Sequence, residues 1–309
     1  MISLIIATYN GSPTLARTLE AITAVENPDG GYEIIVVDNA SSDNSSEIIA
    51  EFSSRLPLIK LYEERRGKAY ALNTAIEASK GDLLVFTDDD VIPDSGWLRA
   101  YEAAEKAHPE QRFFIGQIRH DWAVPPPHWL ERLGAAGMSY GGTPMGRAEG
   151  PVSWLSAKGA NMAVRRANLG EIRYRTERGI NYMGTGTGTG GVDSWFARDA
   201  SGGEVWYVPE ACLKHMVRRH EIGVRPVFRR YVRIGMTNYH VEPDTEHLFA
   251  QQFLGVPIKL FKRMIREAGG GIYRLARGDT EAAARRMLTF ATDWGRMKSW
   301  RAAQNPKGV

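Results

Sequence analysis

Three adjacent carboxylates, Asp88-Asp89-Asp90, follow Gly81-Asp82-Leu83-Leu84-Val85-Phe86-Thr87, a short run that reads as a buried strand. Like charges crowded at a strand end repel one another. They become tolerable when a divalent cation or a ring of donors neutralises them. Asp runs also make turns and helix caps. Two features favour a metal site: Val91-Ile92-Pro93 returns to apolar residues at once, and open α/β sheets keep their ligand sites at the carboxyl ends of strands. Three more segments fall at strand or helix ends. They are Ala7-Thr8-Tyr9-Asn10-Gly11, Asp38-Asn39-Ala40-Ser41-Ser42-Asp43, and Arg66-Gly67-Lys68-Ala69-Tyr70-Ala71-Leu72-Asn73. Each is weak alone, since Asp38 followed by serines can simply cap a helix. Together they line one edge of one sheet.

The elements that hold them alternate. Ser3–Ala7, Glu33–Val37, Leu58–Tyr62 and Leu83–Thr87 read as strands, and Ser12–Val25, Ser42–Phe52 and Lys68–Ser79 as helices. Apolar strands separated by helices describe a parallel sheet covered on both faces. Residues 119–150, with Pro125-Pro126-Pro127-His128-Trp129, read as loops with at most one short helix. Phe113–Gln117 and Asn161–Arg165 are further strands, Ser194–Ala200 a helix, and the Gly/Thr alternation of Gly184–Gly191 a mobile loop. From Val224 onward the pattern is helical and basic.

The chain has 309 residues, 43% of them hydrophobic, enough for one large α/β domain or two modest ones. No stretch approaches the roughly 20 apolar residues that span a bilayer, and the N-terminus enters a strand rather than a signal peptide. The single Cys212 excludes an internal disulfide and fits a reducing compartment, hence a cytoplasmic location. Residues 214–309 hold 19 Lys and Arg against 8 Asp and Glu, a net of +11, while the formal net charge of the whole chain is only +3. A basic tail on an acidic body suits an anionic partner. A membrane surface fits, and no nucleic-acid motif accompanies the charge.

Read in order, Ile5-Ile6-Ala7-Thr8-Tyr9-Asn10, Val36-Val37-Asp38-Asn39-Ala40-Ser41-Ser42-Asp43, Gly67-Lys68-Ala69-Tyr70-Ala71-Leu72-Asn73 and Thr87-Asp88-Asp89-Asp90 resemble a family 2 glycosyltransferase of the GT-A fold. Gly159-Ala160-Asn161-Met162-Ala163, Val192-Asp193, and Val208-Pro209-Glu210-Ala211 with His215 extend the resemblance to about residue 235. It implies an α/β fold with a mostly parallel, Rossmann-like sheet flanked by helices. The implied GT-A catalytic domain covers 1–222, with a nucleotide-sugar half at 1–118 and an acceptor half at 119–222, and a basic amphipathic helical extension follows at 223–309.

The same resemblance implies roles. Thr8 and Tyr9, with Asn10, pack around the nucleotide base, and Asp38 accepts from the uracil ring N–H. Lys68, or Arg66 beside it, faces the pyrophosphate, and Asp88 reaches the ribose or sugar. Asp90 binds Mn²⁺ or Mg²⁺, His215 is a further metal ligand, and Asp193 is the general base. Asn73, Asp89, Trp154 and Asn161 complete the expected substrate-binding set. Trp154, like Trp122 and Trp129, can stack on an acceptor sugar or fill core. Two departures stand out. Asn39 takes the place of a second acid after strand two, which softens the uridine preference, and Val192 replaces the first acid of the pair before the base.

The implied activity is metal-dependent, inverting transfer from a nucleoside-diphosphate sugar, UDP first, to a hydroxyl of a glycan or lipid-linked acceptor. Negative charge develops on the leaving diphosphate, which a carboxylate-held metal stabilises, and the attacking hydroxyl needs a carboxylate to take its proton. Two alternatives remain: a non-catalytic glycan-binding or scaffold protein on the same fold, and a sugar nucleotidylyltransferase, although Thr8-Tyr9-Asn10-Gly11 is no Gly-rich phosphate loop. In the tail, Pro257, Ile258, Phe261, Met264, Ile265 and Ala268 recur at helical spacing with Lys259, Lys262, Arg263 and Arg266 between them, and Met287, Phe290, Ala291, Trp294, Met297 and Trp300 form a second stripe. Such helices either pack on the body or lie at an anionic membrane surface, which places the protein peripherally at the cytoplasmic face.

Overall fold

The computed structural model describes residues 1–176, 191–241, 246–253 and 256–304. The Gly/Thr stretch expected as a loop therefore lies, as far as residue 190, outside the described residues.

Strands β1 (Ile2–Thr8), β2 (Tyr32–Asp38), β3 (Leu58–Tyr62) and β4 (Leu83–Thr87) pair in parallel in the order β3-β2-β1-β4. Their uninterrupted apolar runs are explained by burial on both faces. Leu4, Ile6, Ile34, Val36 and Val85 enter one core with residues of α1 (Leu15–Ile22), α2 (Ser45–Phe52) and α4 (Trp97–Ala107). Ile5, Ile35, Val37, Leu84 and Phe86 enter the other, with α3 (Lys68–Ala78) and α6 (Val192–Ser201). This is the expected α/β sheet flanked by helices.

Beyond β4 the sheet turns mixed. It continues β8-β6-β9-β5, where β5 is Val91–Pro93, β6 Phe113–Trp122, β8 Met162–Arg165 and β9 Glu204–Val217, and β7 (Gly150–Ser153) pairs with β9. The sequence pattern missed β9, the longest strand. Its register against β6 jumps from Gly116↔Val208 to Gln117↔Cys212, so Pro209, Glu210 and Ala211 sit in an irregularity that breaks the two-residue alternation. Helix α4 is a further element that the expected pattern lacks, although its buried Trp97, Leu98, Tyr101 and Ala104 have a helical period. A short helix, α5 (His128–Ala135), occupies the Pro/Trp-rich region.

The described residues divide into two compact units. Residues 1–123, 134–176 and 192–217 form the first, which contains the sheet. Residues 124–133 and those from 218 onward form the second. The second unit holds α7 (Val224–Val241), α8 (Glu246–Phe249), α9 (Ile258–Ala276) and α10 (Thr280–Gln304). Helix α10 packs on α7 and α9. Gly235 and Gly295 let α7 and α10 approach closely, because a Cβ at either would run into a backbone carbonyl of the facing helix, Thr292 or Val232. Of the two expected apolar stripes, Met264, Met297 and Trp300 are core, packed with Leu248, Phe249 and Leu260.

Candidate active site

Parallel pairing puts strand ends side by side. Thr8 is level with Asp38 across β1 and β2, and Ile6 with Thr87 across β1 and β4. Asp89, two residues past Thr87, is thereby brought to Thr8, whose hydroxyl donates to Asp89 Oδ2 at 2.5 Å. Thr18 fixes the backbone around the triplet: its hydroxyl donates to the Asp89 carbonyl at 3.0 Å and accepts from Val91 N–H at 3.1 Å. Ala7, Thr8, Tyr9, Asn39, Lys68, Asp88 and Asp89 line a cavity of about 140 Å³.

The loops that frame this cavity are stapled together. Asn10 Oδ1 accepts from Ser42 N–H at 2.8 Å, and Asp38 Oδ1 accepts from Ser41 N–H at 3.0 Å. Asn10 and Ala40 both hold positive φ, 52° and 56°, which non-glycine residues rarely adopt and which cluster at functional sites. Burial pushes the Asp43 carboxyl upward, but hydrogen bonds from Ser45 and Ser12 outweigh it and hold the pKa at about 2. Arg66 lies over the Tyr9 ring, its Cζ 5.6 Å from the centroid.

Asn39 has a definite task. Its Nδ2 donates to the carbonyls of Glu63 at 3.0 Å and Arg65 at 2.7 Å, and its Oδ1 accepts from Gly67 N–H at 2.8 Å. Gly67, with φ of 142°, then delivers Lys68 as the first residue of α3. A carboxylate in this position cannot donate to those carbonyls. The departure from the acid pair thus anchors the loop that presents Lys68.

Lys68 Nζ meets Asp88 Oδ1 at 2.5 Å. Burial opposes its charge, yet Asp193, Asp88 and Asp90 together hold the ammonium above its usual range. Asp89 is raised to about 6: loss of water contributes most, the Thr8 hydroxyl opposes it, and Asp90 and Asp88 add to the rise. Asp193 is likewise raised, first by burial and then by Asp88, with Lys68 and Lys158 pulling the other way. Lys68 is favoured as a cation by its carboxylate neighbours, while burial disfavours Asp193 as an anion more than Lys68 and Lys158 favour it.

Asp193 lies in the first turn of α6, and its Oδ1 is buried without a hydrogen-bond partner among the described residues. Gly159 is the floor beneath it: a Cβ there would stand 2.5 Å from both Cγ and Oδ2 of Asp193. The Thr87 hydroxyl donates to the Ala160 carbonyl at 2.7 Å, tying the β4 end to that floor. Tyr174, which the sequence did not single out, is buried and stacked on Phe196 with centroids 4.0 Å apart, and its hydroxyl has no hydrogen-bond partner among the described residues. Burial raises its pKa well above the usual tyrosine range, and the Asp193 and Asp88 charges add to the rise. No spacing or motif marks it.

Asp90 and His215 are brought together by the antiparallel pairing of β5 and β9, in which Val91 faces His215. His215 Nε2 is 3.4 Å from Asp90 Oδ2. Among the described residues no group of three or more His, Cys, Asp or Glu side chains could hold a metal. One carboxylate and one imidazole nevertheless suit a cation whose remaining shell comes from phosphate and water. The crowding of Asp88, Asp89 and Asp90, which helps to raise Asp89, favours added positive charge. The donor set fits.

Two of the expected substrate residues also make contacts that hold the fold. Asn161 Oδ1 accepts from Trp97 Nε1 at 2.9 Å and Tyr101 OH at 2.7 Å, and its Nδ2 donates to the carbonyls of Gln117 at 2.9 Å and Ala211 at 2.8 Å. That uses the whole amide, 1% exposed, to join α4, β6 and β9. Asn73 pins the backbone of Tyr174 from both sides, donating to its carbonyl at 2.9 Å and accepting from its N–H at 2.8 Å. Trp154 opens a 3₁₀ turn and packs partly on the core beneath α3 and α6.

A family model described as "Glycosyl transferase family 2" matches residues 3–173. Glycosyltransferase AglE of Haloferax volcanii is 37% identical over 99 residues, which cover 31% of this chain and 33% of that protein. A poly-beta-1,6-N-acetyl-D-glucosamine synthase of Staphylococcus epidermidis is 38% identical over 95 residues, covering 30% and 22%. In these matches the chain spans a third or less of the length of the curated relatives. Among solved structures, S. aureus TarS in complex with UDP-GlcNAc aligns with a TM-score of 0.53 at 15% identity, over 98% of this chain and 92% of that one. Mannosyltransferase PcManGT from Pyrobaculum calidifontis, in complex with GDP-Man and Mn²⁺, aligns with a TM-score of 0.52 at 20% identity, over 100% and 76%. These two likenesses establish the GT-A fold.

Proposed function

The chain belongs to glycosyl transferase family 2, and we propose that it moves a sugar, with inversion, from a nucleoside-diphosphate sugar to a hydroxyl of a glycan or lipid-linked acceptor. The observation that carries this reading is the position of Asp193: a half-buried residue whose Oδ1 is buried with no hydrogen-bond partner among the described residues, in the same electrostatic cluster as Lys68 and the strand-end aspartates.

In this reading Thr8, Tyr9, Asn10 and Asp38 receive the nucleotide, with uridine first because Asp38 offers an acceptor for a ring N–H. Arg66 flanks the base or diphosphate from its place over Tyr9. Asp88 orients the ribose or sugar, and Asp89, bonded to Thr8, shapes the cavity floor. Asp90 and His215 would hold Mn²⁺ or Mg²⁺, which when bound neutralises charge growing on the leaving diphosphate. Lys68, held cationic, would add to that neutralisation by turning from Asp88 toward the phosphates. Asp193 takes the acceptor proton, and its raised pKa brings it nearer the working range of a general base. Trp154 offers a stacking surface to the acceptor.

The basic C-terminal unit would meet an anionic membrane surface, placing the protein peripherally at the cytoplasmic face. No described helix is long and apolar enough to cross a membrane.

The test is transfer or donor hydrolysis by the purified full chain with UDP-sugars and GDP-sugars and Mn²⁺, repeated in EDTA and with Asp90→Asn. Activity with metal and near-abolition in both controls is expected. Full activity in EDTA refutes the metal role. Nucleotide binding without turnover of any donor favours a binding protein on the same fold.

A further inference from the structure

Helix α9 carries apolar side chains on a face that the packing of the C-terminal unit leaves open. Leu260 and Met264 enter the cluster with Phe249, Met297 and Trp300. Phe261, Ile265, Ile272 and Leu275 are instead 49%, 57%, 72% and 61% exposed. Steps of three, four and seven residues, completed by Ala268, put them on one stripe of the helix. The stripe runs into a cavity of about 430 Å³ lined by Ala268, Ile272, Leu275, Met287, Phe290 and Trp129 among others.

The one charged residue in that lining is Glu267, which accepts from Arg286 at 2.9 Å and Arg266 at 3.2 Å. Both arginines line a second, open recess with Gly269, Gly270 and Tyr273, which shares Glu267 with the apolar cavity. Each guanidinium carries five N–H donors, so neither is exhausted by Glu267. Three consecutive glycines, Gly269-Gly270-Gly271, weaken a helix interior. Here they keep space beside the arginines: a Cβ at Gly270 would stand 3.1 Å from the Arg286 Cζ, and Gly271 itself lines the apolar cavity.

We propose that this face is a lipid site. The hydrocarbon chain of one anionic membrane lipid occupies the apolar cavity, its phosphate meets Arg266 and Arg286, and the α9 stripe lies in the surrounding bilayer surface. The inference rests on the membrane reading given above and adds to it a built pocket for a single lipid. Charge selects this occupant over a second copy of the chain. Helix α9 has five basic residues, Lys259, Lys262, Arg263, Arg266 and Arg274, against the one acidic Glu267. Two such faces pressed together would juxtapose like charges, whereas an anionic bilayer neutralises them.

The probe is a monomeric alkyl phosphate with a bromine at its chain end, titrated into the full chain while tryptophan fluorescence is read. Saturable quenching that is largely lost in Trp129→Phe is expected. Arg266→Glu, a change at a side chain 69% exposed, should weaken the probe about tenfold, the scale of one charge-assisted hydrogen bond. Inorganic phosphate alone should not displace the probe at equal concentration. Quenching that persists in Trp129→Phe, or equal affinity in Arg266→Glu, overturns the site. Co-sedimentation with phosphatidylglycerol vesicles separates the two layers of the argument. Sedimentation without probe quenching keeps membrane contact and removes the pocket. Quenching without sedimentation makes the pocket a site for a soluble amphiphile and overturns the membrane lipid. A concentration-dependent dimer that the probe dissociates assigns the face to a second copy instead.

Discussion

Replacing Gly159 by alanine puts a methyl group where the Asp193 carboxylate already stands. The added Cβ would lie 2.5 Å from Asp193 Cγ and Oδ2, whereas ordinary contact begins at 3.4 Å. The carboxylate, or the floor beneath it, must therefore yield by about 0.9 Å, the difference between those distances. Misplacing a catalytic group by about 1 Å costs roughly 10²-fold in rate. If Asp193 is the base, Gly159→Ala should lose about that factor in kcat, while Asp193→Asn, which keeps the shape and removes the proton acceptor, should lose roughly 10²–10⁴-fold. Nucleotide binding is expected to survive in both, because no residue lining the strand-end cavity is touched. Steady-state transfer and calorimetry with UDP, on variants whose melting temperature shows them folded, measure the two quantities separately. Gly159→Ala turning over within about threefold of wild type would refute the geometric reasoning even if Asp193→Asn is inactive. UDP binding lost along with activity in either variant would make Asp193 a donor ligand or a structural residue.

Three further outcomes follow from the same structure. The acid limb of the rate profile should lie above the usual carboxylate range, because burial raises Asp193. The matching stability effect has a fixed sign. A carboxyl raised in the folded state contributes stability at low pH that is lost as pH rises toward its folded pKa, so Asp193→Asn should gain in melting temperature relative to wild type on going from about pH 4 to neutrality. A gain that shrinks over that interval contradicts the burial argument. Asn39→Asp exchanges the donors to Glu63 and Arg65 for a carboxylate facing two carbonyls; the buried Glu63 acceptor left unsatisfied costs about 1–3 kcal/mol and the part-buried Arg65 one less, measurable by urea unfolding, and Lys68 should lose its place with a fall in donor affinity. In the C-terminal unit Asp293 is fully buried between Arg263, 2.6 Å from its Nε, and Arg296, 3.0 Å away. Asp293→Ala should cost about 3–5 kcal/mol by leaving two guanidiniums without their shared anion, and a change below about 1 kcal/mol in denaturant titration contradicts that.

The legible part of this protein is its local part. Continuous apolar runs ending in polar residues announced β1, β2 and β4, and parallel pairing of neighbours in sequence then brought Thr8, Asp38 and the aspartate triplet to one edge. What escaped was set by pairings between distant segments. Strand β9 is interrupted by Pro209 and bends around an irregular register, so no two-residue alternation survives to be read. Tyr174 carries no motif, and its place depends on Asn73 gripping its backbone across the chain. Asn161 shows the opposite failure. The resemblance assigned it to substrate, and the fold uses all of its amide to join Trp97, Tyr101, Gln117 and Ala211. The amphipathic tail was ambiguous for a physical reason: α9 has two apolar faces, one for Leu260 and Met264 and one open, and a single helical period cannot distinguish them.

The charge balance at the strand ends argues for what the site receives. Asp88, Asp89, Asp90 and Asp193 surround Lys68, which is held cationic by three of them, and Lys158 also acts on Asp193. Burial first, and then the neighbouring Asp90 and Asp88, raise Asp89 to about 6, so its negative charge is held there at a cost. Structural stability alone would select against such an arrangement, since replacing carboxylates that burial has raised relieves the folded state at neutral pH. Four carboxylates beside Lys68 and Lys158 suit a ligand that brings more positive charge than negative to Asp90 and His215 while presenting its own anion to Lys68. A divalent cation travelling with a diphosphate has that pattern of charge. On the proposed reading, Lys68 exchanges Asp88 for phosphate, Asp88 is released to a sugar hydroxyl, and Asp193 keeps Lys158 but loses part of the Lys68 attraction. A carboxylate deprived of a neighbouring cation is a stronger base, so donor binding would itself prepare Asp193 to take the acceptor proton.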